Sequence, residues 1–176
     1  GDITPSAFVI MNLNDNSIVL QYNFGKQPST FAYSNNKFFV NYEFSDNLAI
    51  FSANTNSHIK TIASTVVPEA KPVSINSYNN KLYVTNSASS TVSVIDVDTS
   101  TILTTIRVGG NPVSSTLVGG YLYVNNYASS SISVIDLSNN NVIETISLTN
   151  APLSSQYRNS KLYINSENFI NNTLDI

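Results

Sequence analysis

Residues 81–120 read KLYVTNSASSTVSVIDVDTSTILTTIRVGGNPVSSTLVGG, and residues 121–160 read YLYVNNYASSSISVIDLSNNNVIETISLTNAPLSSQYRNS. Sixteen of the forty aligned positions are identical. Four prolines extend this period in both directions at spacings of 44, 40 and 40 residues: Pro28, Pro72, Pro112 and Pro152. A period of this length indicates a repeat architecture, in which each unit buries a face of its neighbour.

Each copy of the repeat resolves into four short segments of strand type. In the clearest copy they are PVSSTLV, YLYVNN, SISVIDL and VIETISL, rich in Val, Ile, Tyr and Thr and separated by Asn, Ser, Gly and Asp. No window carries apolar residues at helical spacing over a helical length. The sequence therefore predicts an all-β protein, and four strands per unit predict a β-propeller of four-stranded blades.

The repeat also predicts how the blades are distributed along the chain. We expect a single β-propeller domain over residues 1–176, with the ranges taken from the repeat: an outer strand pair at 7–24, blades at 28–64, 72–108 and 112–148, and an inner strand pair with a tail at 152–176. Because an outer and an inner pair together make one blade, we expect four blades, one of them closed by the N- and C-terminal strands. Two chains forming one larger ring, or a longer propeller of which this chain is a piece, are the alternatives.

Two copies carry a recognisable motif. Tyr83-Val84-Thr85-Asn86 is followed by Val92-Ser93-Val94-Ile95-Asp96, and the pattern returns at 123–126 and 132–136. This motif resembles the YVTN-type propeller repeat, whose family includes archaeal surface-layer proteins, bacterial periplasmic proteins and relatives of redox-enzyme propellers. The resemblance implies the propeller fold, whereas it leaves function open. The redox relatives depend on histidine ligands, and this chain has a single histidine, His58.

The composition favours some cellular locations and some classes of binding partner over others. Only 11% of the residues are charged, the net charge is −3, and the chain has 26 asparagines and no cysteine. Amide and hydroxyl groups, rather than charged groups, must then make most of the surface contacts with water. This favours an extracellular, cell-surface or periplasmic location. Eight Lys and Arg against eleven Asp and Glu make nucleic acid an unfavourable partner. No apolar stretch approaches a membrane span, so we expect no membrane insertion. With one histidine and no cysteine we expect no cofactor or metal.

The departures from the repeat are the candidate functional residues. In a propeller, the loops that join the second and third strands lie on one rim with the loops that lead into the first strands. The former loops are 42–47, 86–91, 126–131 and 166–171, and they carry the candidate ligand-binding residues Tyr42, Glu43, Phe44, Asp46, Tyr127, Glu167 and Phe169. Aromatic rings beside amides and carboxylates suit a glycan or a peptide. Aromatics that merely cover the loop bases are the alternative.

Three functions follow from these observations. We expect first a non-enzymatic extracellular or cell-surface propeller that binds a glycan or protein on the rim, because no catalytic constellation is evident. A hydrolase or lyase that uses the rim carboxylates Glu43, Asp46 and Glu167 is an alternative. A structural surface-layer or filament subunit that self-associates is another. The recurring Asp96 and Asp136 are predicted to accept hydrogen bonds in turns, not to bind a ligand.

Overall fold

The fold was obtained from a computed structural model, which describes residues 6–24, 28–42, 46–63 and 70–167. Within these ranges the chain forms strands only, and no helix there is long and apolar enough to cross a membrane. The described strands are β1 (Ser6–Met11), β2 (Ile18–Phe24), β3 (Pro28–Ser34), β4 (Lys37–Tyr42), β5 (Asn47–Ser52), β6 (His58–Ala63), β7 (Pro72–Tyr78), β8 (Lys81–Asn86), β9 (Thr91–Asp96), β10 (Ile102–Arg107), β11 (Pro112–Val118), β12 (Tyr121–Asn126), β13 (Ser131–Asp136), β14 (Asn141–Ser147), β15 (Ala151–Arg158) and β16 (Lys161–Glu167).

The strands form three four-stranded antiparallel sheets and two hairpins. Blade 1 is β3–β6, blade 2 is β7–β10 and blade 3 is β11–β14, each with its strands in sequence order. The N-terminal pair is β1–β2 and the C-terminal pair is β15–β16. The first strands of successive blades contact one another, so they form the inner side of the array. The predicted all-β fold of four-stranded, propeller-type blades is confirmed.

Residues at positive φ form the tight turns between first and second strands, and in blades 1 and 2 these residues are asparagines. The turns between first and second strands place both Asn35 and Asn36, and both Asn79 and Asn80, at positive φ. Two-residue hairpin turns of this kind match the right-handed twist of the strands, and Asn tolerates the left-handed region better than most residues. Blade 3 uses Gly119, at φ 57°, for the same purpose. The asparagine content is therefore partly explained by turn geometry.

Apolar side chains from facing sheets fill the spaces between blades. Phe39 and Ile50 of blade 1 pack with Leu82 and Val84 of blade 2. On the opposite face of blade 2, Tyr83 packs with the apolar core of blade 3. The Tyr83 hydroxyl donates to Asn140 Oδ1 at 3.1 Å, so this fully buried ring also ties blade 2 to a turn of blade 3. Both faces of the second and third strands of blade 2 are thus buried, as their apolar sequence requires.

A polar seam runs along the inner strands between later blades. Thr85 Oγ1 donates to Ser115 Oγ at 2.9 Å, across the blade 2–blade 3 boundary. The amide of Asn125 donates to Ser155 Oγ at 2.8 Å, across the boundary with the C-terminal pair. Thr116 also donates to the carbonyl of Ser155, at 2.8 Å. These bonds give partners to the buried Thr85 hydroxyl and to the buried Nδ2 of Asn125.

The terminal pairs differ from the expected arrangement. The sequence predicts that they join as one blade, whereas in the structure they are two separate two-stranded sheets. Phe8, Leu20 and Tyr22 of the N-terminal pair pack against blade 1, and the C-terminal pair contacts blade 3. Each hairpin obtains its contacts from the blade adjacent to it in the chain. Blade closure by the two ends is therefore absent from the described part of this single chain.

Candidate functional site

Two sets of loops meet on one rim of the array, as the sequence predicts. In blades 2 and 3, backbone hydrogen bonds link the loop between the second and third strands to the loop that leads into the first strand of the same blade. In blade 2 they are Ser87 N to Lys71 O at 2.9 Å and Ala88 N to Ala70 O at 3.0 Å; in blade 3 they are Tyr127 N to Asn111 O and Ala128 N to Gly110 O, both at 3.0 Å. In blades 2 and 3, these four bonds therefore hold the two loops of the rim together.

Tyr127 and Glu167 form a pair on this rim. The phenol of Tyr127 donates to Glu167 Oε2 at 3.2 Å, which connects blade 3 to the C-terminal pair. Desolvation, together with the negative charge of Glu167, raises the pKa of Tyr127 above its ordinary value. Ser87 occupies the same repeat position in blade 2. The two adjacent departures from the repeat therefore lie in direct contact, and they present an aromatic ring beside a carboxylate.

A groove of about 440 Å³ is bordered by Ser129 of the same loop. Five hydroxyl-bearing residues of blade 3 line it: Ser129, Ser131, Ser133, Thr145 and Ser147. Arg107 and Gly109, from the end of blade 2 and the connection to blade 3, complete the wall. The backbone N–H of Gly109 donates to Ser133 Oγ at 3.3 Å, and a Cβ built on Gly109 would lie 2.5 Å from Ser129 Oγ. A side chain at Gly109 would therefore displace the groove wall.

Buried amides support the rim from below. The Nδ2 of Asn126 donates to Ser131 Oγ at 3.2 Å and to Ser133 Oγ at 2.9 Å. Asn86 makes the equivalent bonds to Thr91 and Ser93 in blade 2. Both amides are fully buried. Sequence reasoning did not select these asparagines, although their recurrence at one repeat position next to Ser-rich strands is a signal that could have found them.

Asp46 accepts a hydrogen bond from the backbone of a neighbouring loop. Its Oδ1 accepts from the backbone N–H of Lys71 at 3.1 Å, and Asp46 itself lies in the left-handed region with φ 50°. Lys71 lies in the loop that leads into β7 of blade 2. Asp46 thus ties the rim of blade 1 to that of blade 2, and its carboxylate has a structural partner there.

Tyr42 does not lie on the rim as an accessible ligand contact, which corrects the sequence prediction. Its side chain is 9% exposed and belongs to the apolar cluster of Val40, Ala49 and Phe51. Burial raises the pKa of Tyr42 above its ordinary value. The reason is positional, because Tyr42 ends β4 on the face that the N-terminal pair covers. Glu43, Phe44 and Phe169 lie outside the described residues.

The described carboxylates considered in the sequence analysis lie in separate turns and loops. Asp96 Oδ1 accepts from the backbone N–H groups of Asp98 and Thr99 at 3.0 and 2.7 Å, and hydrogen bonds from Thr99 lower the pKa of Asp96. The predicted turn role of Asp96 is confirmed. Asp46 and Glu167 lie on units separated by two blades. Across residues 6–24, 28–42, 46–63 and 70–167, no group of three or more His, Cys, Asp or Glu could hold a metal ion.

No protein-family model matches the chain, and no curated protein matches its sequence. Solved structures do match. The computationally designed Ika8 protein has a TM-score of 0.68 at 10% identity, over 82% of this chain and 44% of its own. Hydrazine synthase from Kuenenia stuttgartiensis has a TM-score of 0.60 at 22% identity, over 67% and 34%. Glutaminyl cyclase from Myxococcus xanthus has a TM-score of 0.54 at 13% identity, over 76% and 59%.

These similarities concern the fold. All three identities are low, and this chain spans less than two thirds of the length of each matched chain. Two of the three matched proteins are enzymes by name, so the same architecture occurs in catalytic proteins. Function must accordingly be argued from the rim itself.

Proposed function

We propose that the protein is an extracellular or cell-surface binding propeller that holds a glycan on the rim of blade 3. The observation that carries this proposal is the Tyr127–Glu167 pair, which replaces the small residue of the preceding copy and lies on the loop that also borders the hydroxyl-lined groove. Function in repeat proteins is usually located where one copy departs from the others, because packing explains the common residues.

The chemistry of this surface suits a polyhydroxylated ligand. An aromatic ring offers an apolar plate to the C–H face of a sugar, and a carboxylate accepts from two neighbouring hydroxyls. Ser129 and the other hydroxyls of the groove both donate and accept. Few charges lie on the chain as a whole, so recognition would depend on hydrogen bonds and contact area and little on long-range electrostatic steering.

The proposed cellular location rests on the composition and on the repeat motif. The low charge, the absence of cysteine and the resemblance to YVTN-type repeats support a surface, extracellular or periplasmic location. A protein ligand is the main alternative occupant of the rim. Catalysis by the rim carboxylate Glu167 is a second alternative, supported only by the presence of enzymes among the proteins with this fold.

A glycan array followed by calorimetry on the best hit tests the proposal. We expect Tyr127→Ala and Glu167→Gln each to weaken binding by roughly fivefold, because each removes about 1 kcal/mol of contact. The matched control is Tyr121→Ala, since Tyr121 is an exposed tyrosine of the same blade at the opposite end of β12. No binding to any glycan, or equal losses with Tyr121→Ala, would refute the proposal. Turnover of a glycan that Glu167→Gln abolishes would instead favour the enzyme.

A further inference from the structure

The groove on blade 3 has a set of hydroxyls that the other two blades do not repeat. Two cross-strand pairs of β13 and β14 line it: Ser131 opposite Ser147 and Ser133 opposite Thr145. The equivalent pairs are Thr91–Arg107 and Ser93–Thr105 in blade 2, and Asn47–Ala63 and Ala49–Thr61 in blade 1. Packing between blades therefore does not require four hydroxyls at these positions, and of the three blades only blade 3 has them all.

The hydroxyl of Ser133 is held so that it can only donate. Its Oγ accepts from Asn126 Nδ2 at 2.9 Å and from the backbone N–H of Gly109 at 3.3 Å. A hydroxyl oxygen has two lone pairs, so both are occupied and the proton is left over. Ser133 is 1% exposed, and in the described part of the chain no acceptor lies within hydrogen-bond distance of that proton. The groove therefore has a buried donor without a partner in its wall.

The Ser129–Ser131 pair leaves a second proton to donate. The two Oγ atoms are 3.0 Å apart, so one hydroxyl donates to the other. Each also accepts a bond from elsewhere: Ser129 Oγ accepts from Gly110 N at 3.0 Å, and Ser131 Oγ accepts from Asn126 Nδ2 at 3.2 Å. Whichever hydroxyl accepts within the pair therefore has both lone pairs occupied, and its proton is available to a further acceptor.

The charges around the groove also favour an acceptor ligand. None of the nine described residues that line it is Asp or Glu, and the charged one among them, Arg107, is a cation. The acidic residue of β14, Glu144, lies opposite Val134, next to the Ser133–Thr145 pair, so it projects from the other face of the sheet. The hydroxyls of Thr145 and Ser147 have no hydrogen-bond partner among the described residues, so they can donate as well.

We propose that this groove binds the anionic group, a carboxylate or a sulfate, of an acidic glycan. The proposal rests on the proposed glycan binding at the rim of blade 3 and adds the class of sugar. Hydrogen bonds from neutral donors to an anionic oxygen are shorter and stronger than those to a neutral sugar hydroxyl. Several donors that converge on one groove can thus hold an anion without an ion pair. The groove volume of about 440 Å³ lies in the range of small-ligand sites.

Calorimetry with matched acidic and neutral oligosaccharides tests this inference. One acidic probe is a tetramer of galacturonic acid, and its neutral match is the same tetramer with its carboxyls reduced to primary alcohols. The other is a sulfated galactose tetramer, and its neutral match is the desulfated form. We expect one of the acidic probes to bind at least roughly tenfold more tightly than its match, because a hydrogen bond to a charged group contributes more than one to a neutral group. The pair that shows the difference identifies the anion.

Two substitutions test whether the groove hydroxyls are responsible. Thr145→Val removes an exposed hydroxyl without a partner in the described protein, so it should leave stability unchanged and weaken the acidic probe by roughly tenfold. Its control is Thr105→Val, at the same repeat position in blade 2. Ser133→Ala is compared with Ser93→Ala, because each takes an acceptor from a buried asparagine amide at 2.9 Å. The two should lose similar stability, whereas only Ser133→Ala should weaken the acidic probe.

The outcomes separate this inference from the proposed function. Equal affinity for acidic and neutral probes would overturn the acidic class and leave glycan binding at the rim standing. The same holds if neither acidic probe binds while a neutral glycan of the array does, or if Thr145→Val and Ser133→Ala weaken acidic binding no more than their controls. Binding to no glycan at all would refute both proposals.

Discussion

Replacing Asn41 with leucine should stabilise the protein, although Asn41 is a completely buried residue of a core strand. Neither Nδ2 nor Oδ1 of its amide has a hydrogen-bond partner, and the side chain has no exposed surface. A buried polar group without a partner costs about 1–3 kcal/mol, and leucine has a similar branched shape without that cost. We therefore expect Asn41→Leu to raise the free energy of unfolding by about 1.5 kcal/mol.

The reason for this expectation lies in the seam between blades. The equivalent residues Thr85 and Asn125 donate to Ser115 and Ser155 of the next unit. The corresponding position of β7 is Ile75, which has no hydroxyl to offer. At the boundary between blades 1 and 2, the polar Asn41 is therefore matched with the apolar Ile75, whereas the later boundaries have a hydroxyl at that position.

Asn125→Leu is the matched control, because Asn125 has the same repeat position and is also fully buried. It donates to Ser114 and Ser155, both at 2.8 Å, so its replacement should lower the free energy of unfolding by about 1 kcal/mol. Urea unfolding of both variants measures the two changes. For a chain of this size the melting temperature should rise by roughly 3–6 °C for Asn41→Leu. A loss of stability in Asn41→Leu as large as that in Asn125→Leu would refute the reasoning.

Three further outcomes are expected. Burial raises the pKa of Tyr83 to about 12. Tyr83 therefore ionises in the unfolded chain above pH 10 while it stays protonated in the folded chain, and the free energy of unfolding should fall by up to about 1.4 kcal/mol per pH unit until pH 12. Urea titrations at each pH should show that Tyr83→Phe removes this part of the loss. Gly109→Ala should cost about 1–3 kcal/mol by thermal unfolding, whereas Gly110→Ala, whose added Cβ would lie 3.6 Å from its nearest neighbour, should cost much less. Hydrogen bonds lower the pKa of Asp96, so the stability they provide is present above pH 4 and decreases as the carboxylate is protonated; Asp96→Asn should flatten that acid limb of the stability curve.

The fold could be predicted from the sequence because the same strand and turn patterns recur in successive repeat units. Alternation in VSVID and ISVID indicates strands with one polar face, and Asn-Asn pairs between strands indicate tight hairpin turns. The turn role of Asp96 followed from its recurrence at one position. Such features depend on neighbours within a single repeat unit, so a short window of sequence contains the information that determines them.

The candidate site was predicted only in part, because it depends on which neighbour covers each side chain. Tyr42 is the last residue of the second strand of blade 1 and is covered by the N-terminal pair, whereas Tyr127 directly follows the second strand of blade 3 and bonds to Glu167 at the rim. The pairing of Tyr127 with Glu167 spans forty residues and follows from stacking between units. Separation of the terminal pairs was likewise missed, since the sequence indicates which strands are complementary but not whether one chain brings them together.

The inner seam has a consequence for the length of the array. Its cross-blade hydrogen bonds join residues about one repeat apart: Asn76 to Ser115 and Thr116 to Ser155 span 39 residues, and Ser115 to Ser74 spans 41. Every unit therefore recognises only the unit before it and the unit after it. An extra forty-residue copy inserted between blades 2 and 3 would meet two faces already suited to it. Gene duplication could accordingly lengthen such a chain one blade at a time, without redesign of the blades already present.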